Sequence, residues 1–267
     1  MVGLGRVDDG WPASGRVSAR LGELLATVRA QGQAEIGELA GFAGVSVETT
    51  RRDVRWLEAR GMVRRVYGRV FPVDSSVFES GLKERSGRDV EEKRRIATEA
   101  VRRLGEAQTI FVDEGFSPLL FARALPSGQA FTVVTSSLPA ASALATRTET
   151  EVIVLGGRVR GRTMGVVEGW TQTMMGTFHL DLAVIGANGV AVDAGMTTPD
   201  PVVAAVKSAA MAASRRRVFV GAHHKFGVTS FVQFAGLTDF EAVITGRELS
   251  AARAERFIEA GAVIVRA

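Results

Sequence analysis

Short apolar segments that alternate with helical ones are the feature of this 267-residue chain that most restricts its fold. Seven such segments follow residue 89: TIFVDEG, FTVVTSS, EVIVLGG, LAVIGANG, RRVFVGA, EAVITG and AVIVRA. Continuous apolar runs of this length are typical of strands that are buried on both faces of a sheet. Residues 89–267 are therefore predicted to form an α/β domain around a mostly parallel, Rossmann-like sheet.

Several of these strands end in turns rich in glycine and serine. In open α/β sheets, ligands bind outside the carboxyl ends of the strands. Backbone N–H groups in such turns, at the start of a helix, attract anions. The same turns also serve plain chain reversal, so the prediction of a pocket depends on their joint occurrence. The predicted ligand-binding residues are Asp113, Gly115, Phe116, Ser117, Thr135, Ser136, Ser137, Gly156, Gly157 and Lys225.

Metal and cofactor chemistry has little support in the sequence. The chain has no cysteine, which excludes disulfides and thiolate metal sites and fits a reducing cytoplasm. His223 and His224 are adjacent and would point apart on a strand, so no shared metal site and no cofactor are predicted. No uninterrupted apolar run approaches eighteen residues, so no membrane partner is expected.

Residues 16–72 have a different pattern, typical of a winged helix-turn-helix domain. Val17, Leu21, Leu24, Leu25 and Val28 form one helical stripe, and two shorter helices follow. Ile36, Leu39, Ala40 and Ala43 are predicted to face inward on the second helix, and Val47, Thr50, Val54 and Leu57 on the third. A hairpin is predicted to turn near Tyr67–Gly68. Residues 1–15 are predicted to be a loose extension rather than a signal peptide, and residues 73–88 a linker.

Arginine is concentrated around the third helix. Residues 44–69, GVSVETTRRDVRWLEARGMVRRVYGR, contain seven arginines and no lysine. Ser46 is a predicted N-cap, and Arg51, Arg52 and Arg55 share a face opposite the apolar edge. A helix of this kind fits the major groove of DNA, where arginine can bind guanine or phosphate. The predicted DNA-binding residues are Ser46, Thr49, Arg51, Arg52, Arg55, Arg64, Arg65 and Arg69.

The competing interpretation is a solvated helix whose arginines pair with Glu48, Asp53 and Glu58. Exposed pairs contribute little, typically below ~1 kcal/mol, so stability hardly explains this concentration of arginine. Together with the preceding helix and the hairpin, the pattern favours double-stranded DNA as the partner. Trp56 is predicted to pack against the hairpin rather than contact DNA.

The segment EIGELAGFAGVSVETTRRDVRWLEARGMVRRVYGRVFP resembles the N-terminal domain of the DeoR family of bacterial transcriptional regulators. Its V-S-x-x-T-x-R-R-D core begins at Val45, and its L-E-x-x-G element begins at Leu57. The segments ERSGRDVEEKRRIA, VVTSSLPAA, VIVLGG, DLAVIGANGV, GMTTPD and HHKFG extend the resemblance through most of the chain. The resemblance implies a regulator, expected to be a repressor, whose sensor domain is related to ribose-5-phosphate isomerase and takes a phosphorylated sugar or similar metabolite. A homodimer or homotetramer is expected, because one wing domain reads one half-site.

The chain departs from the family pattern at its wing and its pocket. The wing motif R-x-H-G-G reads Arg65, Tyr67, Gly68 and Arg69, which suggests a stronger phosphate contact. In the pocket, Phe116 replaces a hydroxyl residue, Ser136 replaces Asn, and Ala222 replaces Asp. Two alternatives therefore stay open. One is a sensor domain that only oligomerises, and the other is an isomerase-type enzyme with Asp113 or Glu114 as its base.

Overall fold

The computed structural model describes residues 15–31, 33–59, 62–66, 68–72 and 82–267. The chain divides into two compact units, Met1–Ser75 and Ser76–Ala267. The predicted N-terminal extension lies outside the described residues, apart from Gly15, which begins the first helix. Among the described helices, none combines the length and apolarity that crossing a membrane would take.

The first unit is a three-helix fold with a small antiparallel sheet. Its elements are α1 (Gly15–Gln31), β1 (Ala34–Glu35), α2 (Ile36–Ala43), α3 (Val47–Ala59), β2 (Val63–Val66) and β3 (Arg69–Pro72). Strands β2 and β3 form the predicted hairpin, and Gly68 adopts a φ of 82° at its turn. Tyr67 lies outside the described residues. Strand β1 pairs with β3 and was not predicted, because two residues are too few to show a pattern. The winged helix-turn-helix is confirmed.

Apolar side chains at helical spacing build the core of the first unit. The α1 stripe is buried against α2, α3 and the sheet, and Trp56 packs against this cluster. Gly44 ends α2 in the left-handed conformation, with a φ of 62°. On α3, Thr50, Val54 and Leu57 are buried as predicted. The prediction that Val47 is buried is wrong. Its side chain is 43% exposed, because Val47 is the first residue of α3 and lies beyond the packed middle of the helix.

The second unit is an α/β domain. In chain order its elements are α4 (Leu82–Gly87), α5 (Val90–Arg102), β4 (Thr109–Val112), α6 (Phe116–Ala124), β5 (Phe131–Thr135), α7 (Leu138–Leu144), β6 (Thr150–Val154), β7 (Arg158–Arg160), β8 (Gly165–Val167), α8 (Gly169–Met175), β9 (Leu180–Ile185), β10 (Gly189–Ala191), β11 (Gly195–Thr198), α9 (Pro201–Ala212), β12 (Ser214–Val220), β13 (Val232–Ala235), β14 (Ala242–Thr245), α10 (Ala251–Glu259) and β15 (Ile264–Arg266).

The seven predicted apolar segments form one parallel sheet. Its strand order is β15-β14-β12-β9-β4-β5-β6, and every pairing in it is parallel. Successive residues enter opposite cores: Ile110 and Val112 belong to one buried cluster, and Phe111 between them belongs to the other. This alternation confirms a sheet that is covered on both faces, and it explains why its strands contain runs of consecutive apolar residues.

The predicted linker, residues 73–88, is wrong in its last part. Residues 73–81 lie outside the described residues, but Leu82–Gly87 form helix α4. The Leu82 amide donates to the Arg162 carbonyl at 3.0 Å, and α4 contacts α6. The segment was predicted to be a linker because its composition is polar. Its helix is held by partners that are distant in sequence, which the local composition does not show. The small antiparallel pairings β7–β8 and β10–β11–β13 were not predicted either.

Candidate functional site

The third helix begins with the predicted cap. The Ser46 hydroxyl accepts a hydrogen bond from the Thr49 amide at 3.2 Å and lies 2.9 Å from the Thr49 hydroxyl. The cap satisfies one of the amides that every helix leaves unpaired at its start. Asp53 does not pair with the arginines of α3. It is buried and accepts from Arg20 of α1 at 2.6 Å, and this hydrogen bond raises the pKa of Arg20 above its ordinary value.

The arginines of α3 divide into paired and unpaired groups. Arg51 reaches the Glu48 carboxylate at 3.5 Å, and both side chains are exposed. Arg52 and Arg55 are also exposed, and neither forms an ion pair with a residue in the described part of the chain. The face opposite Val54 and Leu57 therefore presents two guanidinium groups to solvent. Among the arginines of α3, the interpretation that they pair with nearby carboxylates therefore applies to Arg51 only.

The wing arginines are held by carboxylates. Arg65 donates to Glu58 of α3 through its Nε at 2.7 Å and through its backbone amide at 3.0 Å. Arg69 donates to Glu35 at 3.0 Å, across the pairing of β1 with β3. Both pairs are partly or largely exposed, so either guanidinium can exchange its partner for a phosphate at little cost. The backbone of Arg64 lies in β2, opposite Phe71.

The carboxyl ends of the parallel strands carry buried oxygen atoms that lack a hydrogen-bond partner. Asp113 Oδ1 follows β4, Ser136 Oγ follows β5, and Thr245 Oγ1 ends β14. None of the three has a donor or acceptor among the residues that the structure describes. Buried polar atoms are nearly always hydrogen-bonded, so such exceptions mark sites of strain or of ligand contact. Asp113 and Ser136 follow neighbouring strands of the sheet.

The second oxygen of Asp113 belongs to a buried ion pair. Lys207 of α9 donates to Asp113 Oδ2 and to the Gly186 carbonyl, the latter at 3.1 Å. The Gly186 amide also donates to Asp113 Oδ2, at 2.9 Å. Lys207 was not among the residues predicted from the sequence. Its signal was a single charged residue in an otherwise uncharged helix, PVVAAVKSAAMA.

Glu114 is also neutralised. Thr163 donates to its carboxylate at 2.7 Å and Arg160 at 3.0 Å, while Arg160 reaches Asp200 at 3.2 Å. These contacts join the turn after β4 to the β7–β8 hairpin and to the start of α9. Gly165 of the hairpin lies so close to Glu114 that a Cβ atom there would overlap its carboxylate. Glu114 and Arg160 are therefore held in a largely buried ion pair next to Asp113 in the chain.

The turn after β4 opens α6 as predicted. Gly115 precedes the helix with a φ of 115°, and its carbonyl accepts from the Leu119 amide. The backbone amides of Phe116 and Ser117 donate to no residue that the structure describes. The Phe116 ring lies 5.6 Å from Lys93 Nζ in a cation–π contact. The turn thus places two backbone donors next to the buried Asp113 carboxylate.

The three hydroxyls after β5 have different roles. Thr135 is fully buried; its hydroxyl donates to the Val112 carbonyl at 2.6 Å and accepts from the Ser137 amide at 3.0 Å. Ser137 caps α7 by accepting from the Ala140 amide. Only the Ser136 hydroxyl has no partner among the described residues. Thr135 and Ser137 therefore shape the turn, and Ser136 is the hydroxyl left for a ligand.

Gly156 and Gly157 lie against α8. The Gly156 carbonyl accepts from Thr171 at 2.7 Å, and its amide approaches Met174 Sδ at 3.2 Å. A Cβ atom on Gly157 would come within 2.3 Å of the Val167 carbonyl oxygen. Close packing accounts for both glycines, and their role in ligand binding stays a prediction.

His223, His224 and Lys225 form a 3-10 turn after β12, not the end of a strand. The two histidines therefore do not point apart as predicted: their ring centroids lie 5.8 Å from each other. His223 Nδ1 lies 2.8 Å from Glu92, and His224 Nδ1 lies 2.7 Å from Asp89. Burial lowers the pKa of His224 below its ordinary value, so this imidazole is neutral at neutral pH. Lys225 is partly exposed.

Comparison with known proteins gives a consistent result for both units. Residues 20–76 match the DeoR-like helix-turn-helix domain, and residues 88–247 match the DeoR C terminal sensor domain. The chain is 34% identical over 230 residues to the HTH-type transcriptional regulator GlpR of Haloferax volcanii, covering 86% of this chain and 90% of that protein. It is 29% identical over 222 residues to the glycerol-3-phosphate regulon repressor of Escherichia coli K12, covering 83% of this chain and 88% of that protein.

Proposed function

Because this chain belongs to the DeoR family of transcriptional regulators, we propose that it is a repressor controlled by a phosphorylated, sugar-like metabolite. Helix α3 and the wing bind the operator, and the metabolite binds at the carboxyl ends of the sheet in the second unit. The observation that carries the ligand site is the pair of buried, unpartnered oxygens, Asp113 Oδ1 and Ser136 Oγ. Its relatives are transcriptional regulators, and this chain is likewise a transcriptional regulator and not an isomerase-type enzyme.

The DNA-binding part of the proposal is supported by the unpaired arginines. Arg52 and Arg55 project from a helix whose opposite edge is anchored in the core. A bidentate arginine–guanine contact contributes about 1–3 kcal/mol of discrimination against the wrong base. The wing arginines Arg65 and Arg69, whose carboxylate partners are partly or largely exposed, contact phosphates in this proposal and add affinity that does not depend on sequence.

The chemistry of the second unit supports a ligand with both hydroxyl and anionic groups. A carboxylate oxygen such as Asp113 Oδ1 accepts hydrogen bonds only, so it calls for a ligand hydroxyl or N–H. Ser136 can donate or accept. The amides of Phe116 and Ser117, at the start of a nine-residue helix, suit an anionic group such as a phosphate. Unpartnered polar atoms favour this interpretation over a domain that only oligomerises, because that role would not need them buried.

Arginine substitutions test the DNA interface. Arg52→Ala and Arg55→Ala are each expected to lower the preference for operator over random DNA by about 5- to 150-fold, the equivalent of 1–3 kcal/mol. Fluorescence anisotropy with both DNAs measures this ratio. Arg102→Ala, an exposed arginine of the second unit, is the matched control and should bind as wild type does. Unchanged operator preference in both α3 variants would refute the assignment.

Substitution of either partner of the Arg69–Glu35 ion pair tests the wing. Arg69→Ala should flatten the salt dependence of binding by about one phosphate contact, with little change in operator preference. Glu35→Gln, which frees Arg69, should tighten binding to operator and random DNA alike. If both variants behave as wild type across the salt series, Arg69 does not contact the backbone.

Ligand-induced stabilisation tests the second unit. A metabolite at about a hundred times its dissociation constant stabilises a protein by about 2.7 kcal/mol, which a thermal-shift screen of phosphorylated sugars detects. Ser136→Ala removes a hydroxyl that has no described partner, so it should keep the fold and weaken the response. Thr98→Ala, on the exposed face of α5, is the control. If a broad panel produces no shift, the domain serves oligomerisation instead.

We propose further that the protein acts in the cytoplasm as a homodimer or homotetramer. A regulator must reach chromosomal DNA, and a single winged domain covers only one half-site. Sedimentation equilibrium of the full chain measures the assembly directly. A monomer at the concentrations that saturate the operator would contradict this part of the proposal.

A further inference from the structure

A compact group of metal-ligating side chains lies at the carboxyl end of β12. Asp89 precedes α5, and His223 and His224 lie in the 3-10 turn after β12. One ligand atom from each of the three side chains lies within 4.8 Å of the other two. Ligands of a tetrahedral zinc ion, at about 2.0 Å from the metal, are about 3.3 Å apart, so small side-chain shifts would complete this geometry.

A neighbouring carboxylate orients one of the two imidazoles. Glu92 accepts from the His223 backbone amide at 2.7 Å through one oxygen and lies 2.8 Å from His223 Nδ1 with the other. Its side chain is 3% exposed and packs against Gly246, where no Cβ atom would fit. Histidines that bind metals typically hold a carboxylate or carbonyl with their other ring nitrogen, which orients the free one. His223 has this arrangement, with Nε2 left for a ligand.

We propose that Asp89, His223 and His224 bind a divalent transition-metal ion of the zinc class. Two imidazoles and one carboxylate are a donor set that suits Zn²⁺, Co²⁺ and Ni²⁺, whereas Mg²⁺ and Ca²⁺ prefer oxygen ligands. The remaining coordination positions are left to water or to a ligand. Neither the DNA interface nor the metabolite contacts proposed above require this ion.

The charges around the site limit its affinity. Lys225, Arg88 and Lys93 lie close enough to His224 to act on it electrostatically, so they also repel an incoming cation. Two carboxylates, Asp89 and Glu92, oppose these three cations. Arg88 pairs with Asp89 at 3.3 Å, so an incoming ion competes with this guanidinium. We therefore expect the site to bind zinc-class ions with moderate affinity. We expect it to bind little Mg²⁺, because Mg²⁺ prefers oxygen ligands.

The backbone supports a conservative test of the site. Asp89 adopts the left-handed conformation, with a φ of 50° and a ψ of 40°. Asparagine tolerates this conformation as well as aspartate does, so Asp89→Asn removes the charge without straining the chain. The chain has three histidines, and His179, the third, is exposed and is not a member of this group of side chains. His179→Ala is therefore the matched control.

The experiment is a metal titration of the untagged full chain after treatment with a chelator. Co²⁺ absorption in the visible range and Zn²⁺ calorimetry should both give one ion per chain, with little heat from Mg²⁺. His224→Ala and Asp89→Asn should each weaken binding at least tenfold, and Glu92→Gln about 10- to 100-fold. His179→Ala should leave binding unchanged.

Two controls separate the site from the fold and from the proposed function. Far-ultraviolet circular dichroism and operator binding of each variant, without metal, should match those of wild type. Absence of saturable Co²⁺ or Zn²⁺ binding would overturn the proposal, as would wild-type affinity in His224→Ala. Saturable binding of inorganic phosphate, without any metal binding, would overturn it in favour of an anion site. None of these results bears on operator recognition, which is measured separately.

Discussion

Removing the ammonium group of Lys207 is expected to destabilise the second unit strongly. The side chains of Lys207 and Asp113 are 4% and 1% exposed, so water screens neither charge. In a Lys207→Met variant the Asp113 carboxylate stays buried, with the Gly186 amide as its remaining donor. An uncompensated buried charge of this kind costs about 3–5 kcal/mol.

This cost is large enough to measure in two independent ways. For a unit of 150–250 residues, each kcal/mol lowers the melting temperature by about 2–4 °C, so a decrease of about 6–20 °C is expected. Urea unfolding followed by circular dichroism gives the same difference as a free energy. The double variant Lys207→Met, Asp113→Asn leaves no buried charge, and it should recover more than half of the loss.

The exposed ion pair of Arg102 with Glu99 supplies the reference. Arg102→Ala should cost less than about 1 kcal/mol, because solvent screens a pair whose arginine is 73% exposed. If Lys207→Met falls in the same range, the Asp113 carboxylate is not buried as described. If the double variant is no more stable than Lys207→Met, charge is not the cause of the loss.

Two further outcomes follow from single residues. Gly165→Ala should cost about 1–3 kcal/mol in thermal unfolding, because its Cβ would overlap the Glu114 carboxylate, whereas Gly161→Ala on the same hairpin, with open space at its Cβ, should be near neutral. Asp181→Asn should be destabilising at neutral pH and progressively less so in acid. Hydrogen bonds from the Thr109 amide and hydroxyl lower the pKa of Asp181 below its ordinary value. The stability they provide is therefore complete above the unfolded-state pKa of about 4 and is lost as pH falls through the lower folded-state value. A difference between wild type and Asp181→Asn that does not change with pH would contradict the assignment.

The sequence was sufficient to predict the elements whose pattern is local. Each of the seven strands of the sheet contains a short apolar run, and the α1 stripe recurs at helical spacing, so both were predicted correctly. The cap at Ser46 also depends on neighbouring residues alone. The predicted buried edge of α3 was correct except at Val47, the end of the stripe, where burial depends on neighbours from other helices.

The errors occur where the partner is distant along the chain. Helix α4 depends on a backbone contact with Arg162, and β1 on pairing with β3. The two histidines were assigned to a strand because they closely follow the apolar end of β12, residues 218–220, and the 3-10 turn that contains them has no apolar period. Lys207 and Arg160 meet their carboxylates only once the sheet is assembled, so spacing alone could not identify them.

The order of strands in the sheet has a consequence for synthesis. Strand β4 is the first strand of the sheet in the sequence, yet it lies between β5 and β9. While the ribosome is still making residues 136–179, β4 can pair with β5 but not with β9. The other edge of a mostly apolar strand is then exposed to other nascent chains. Translation speed across β9 and access to chaperones are therefore expected to affect the yield of folded protein.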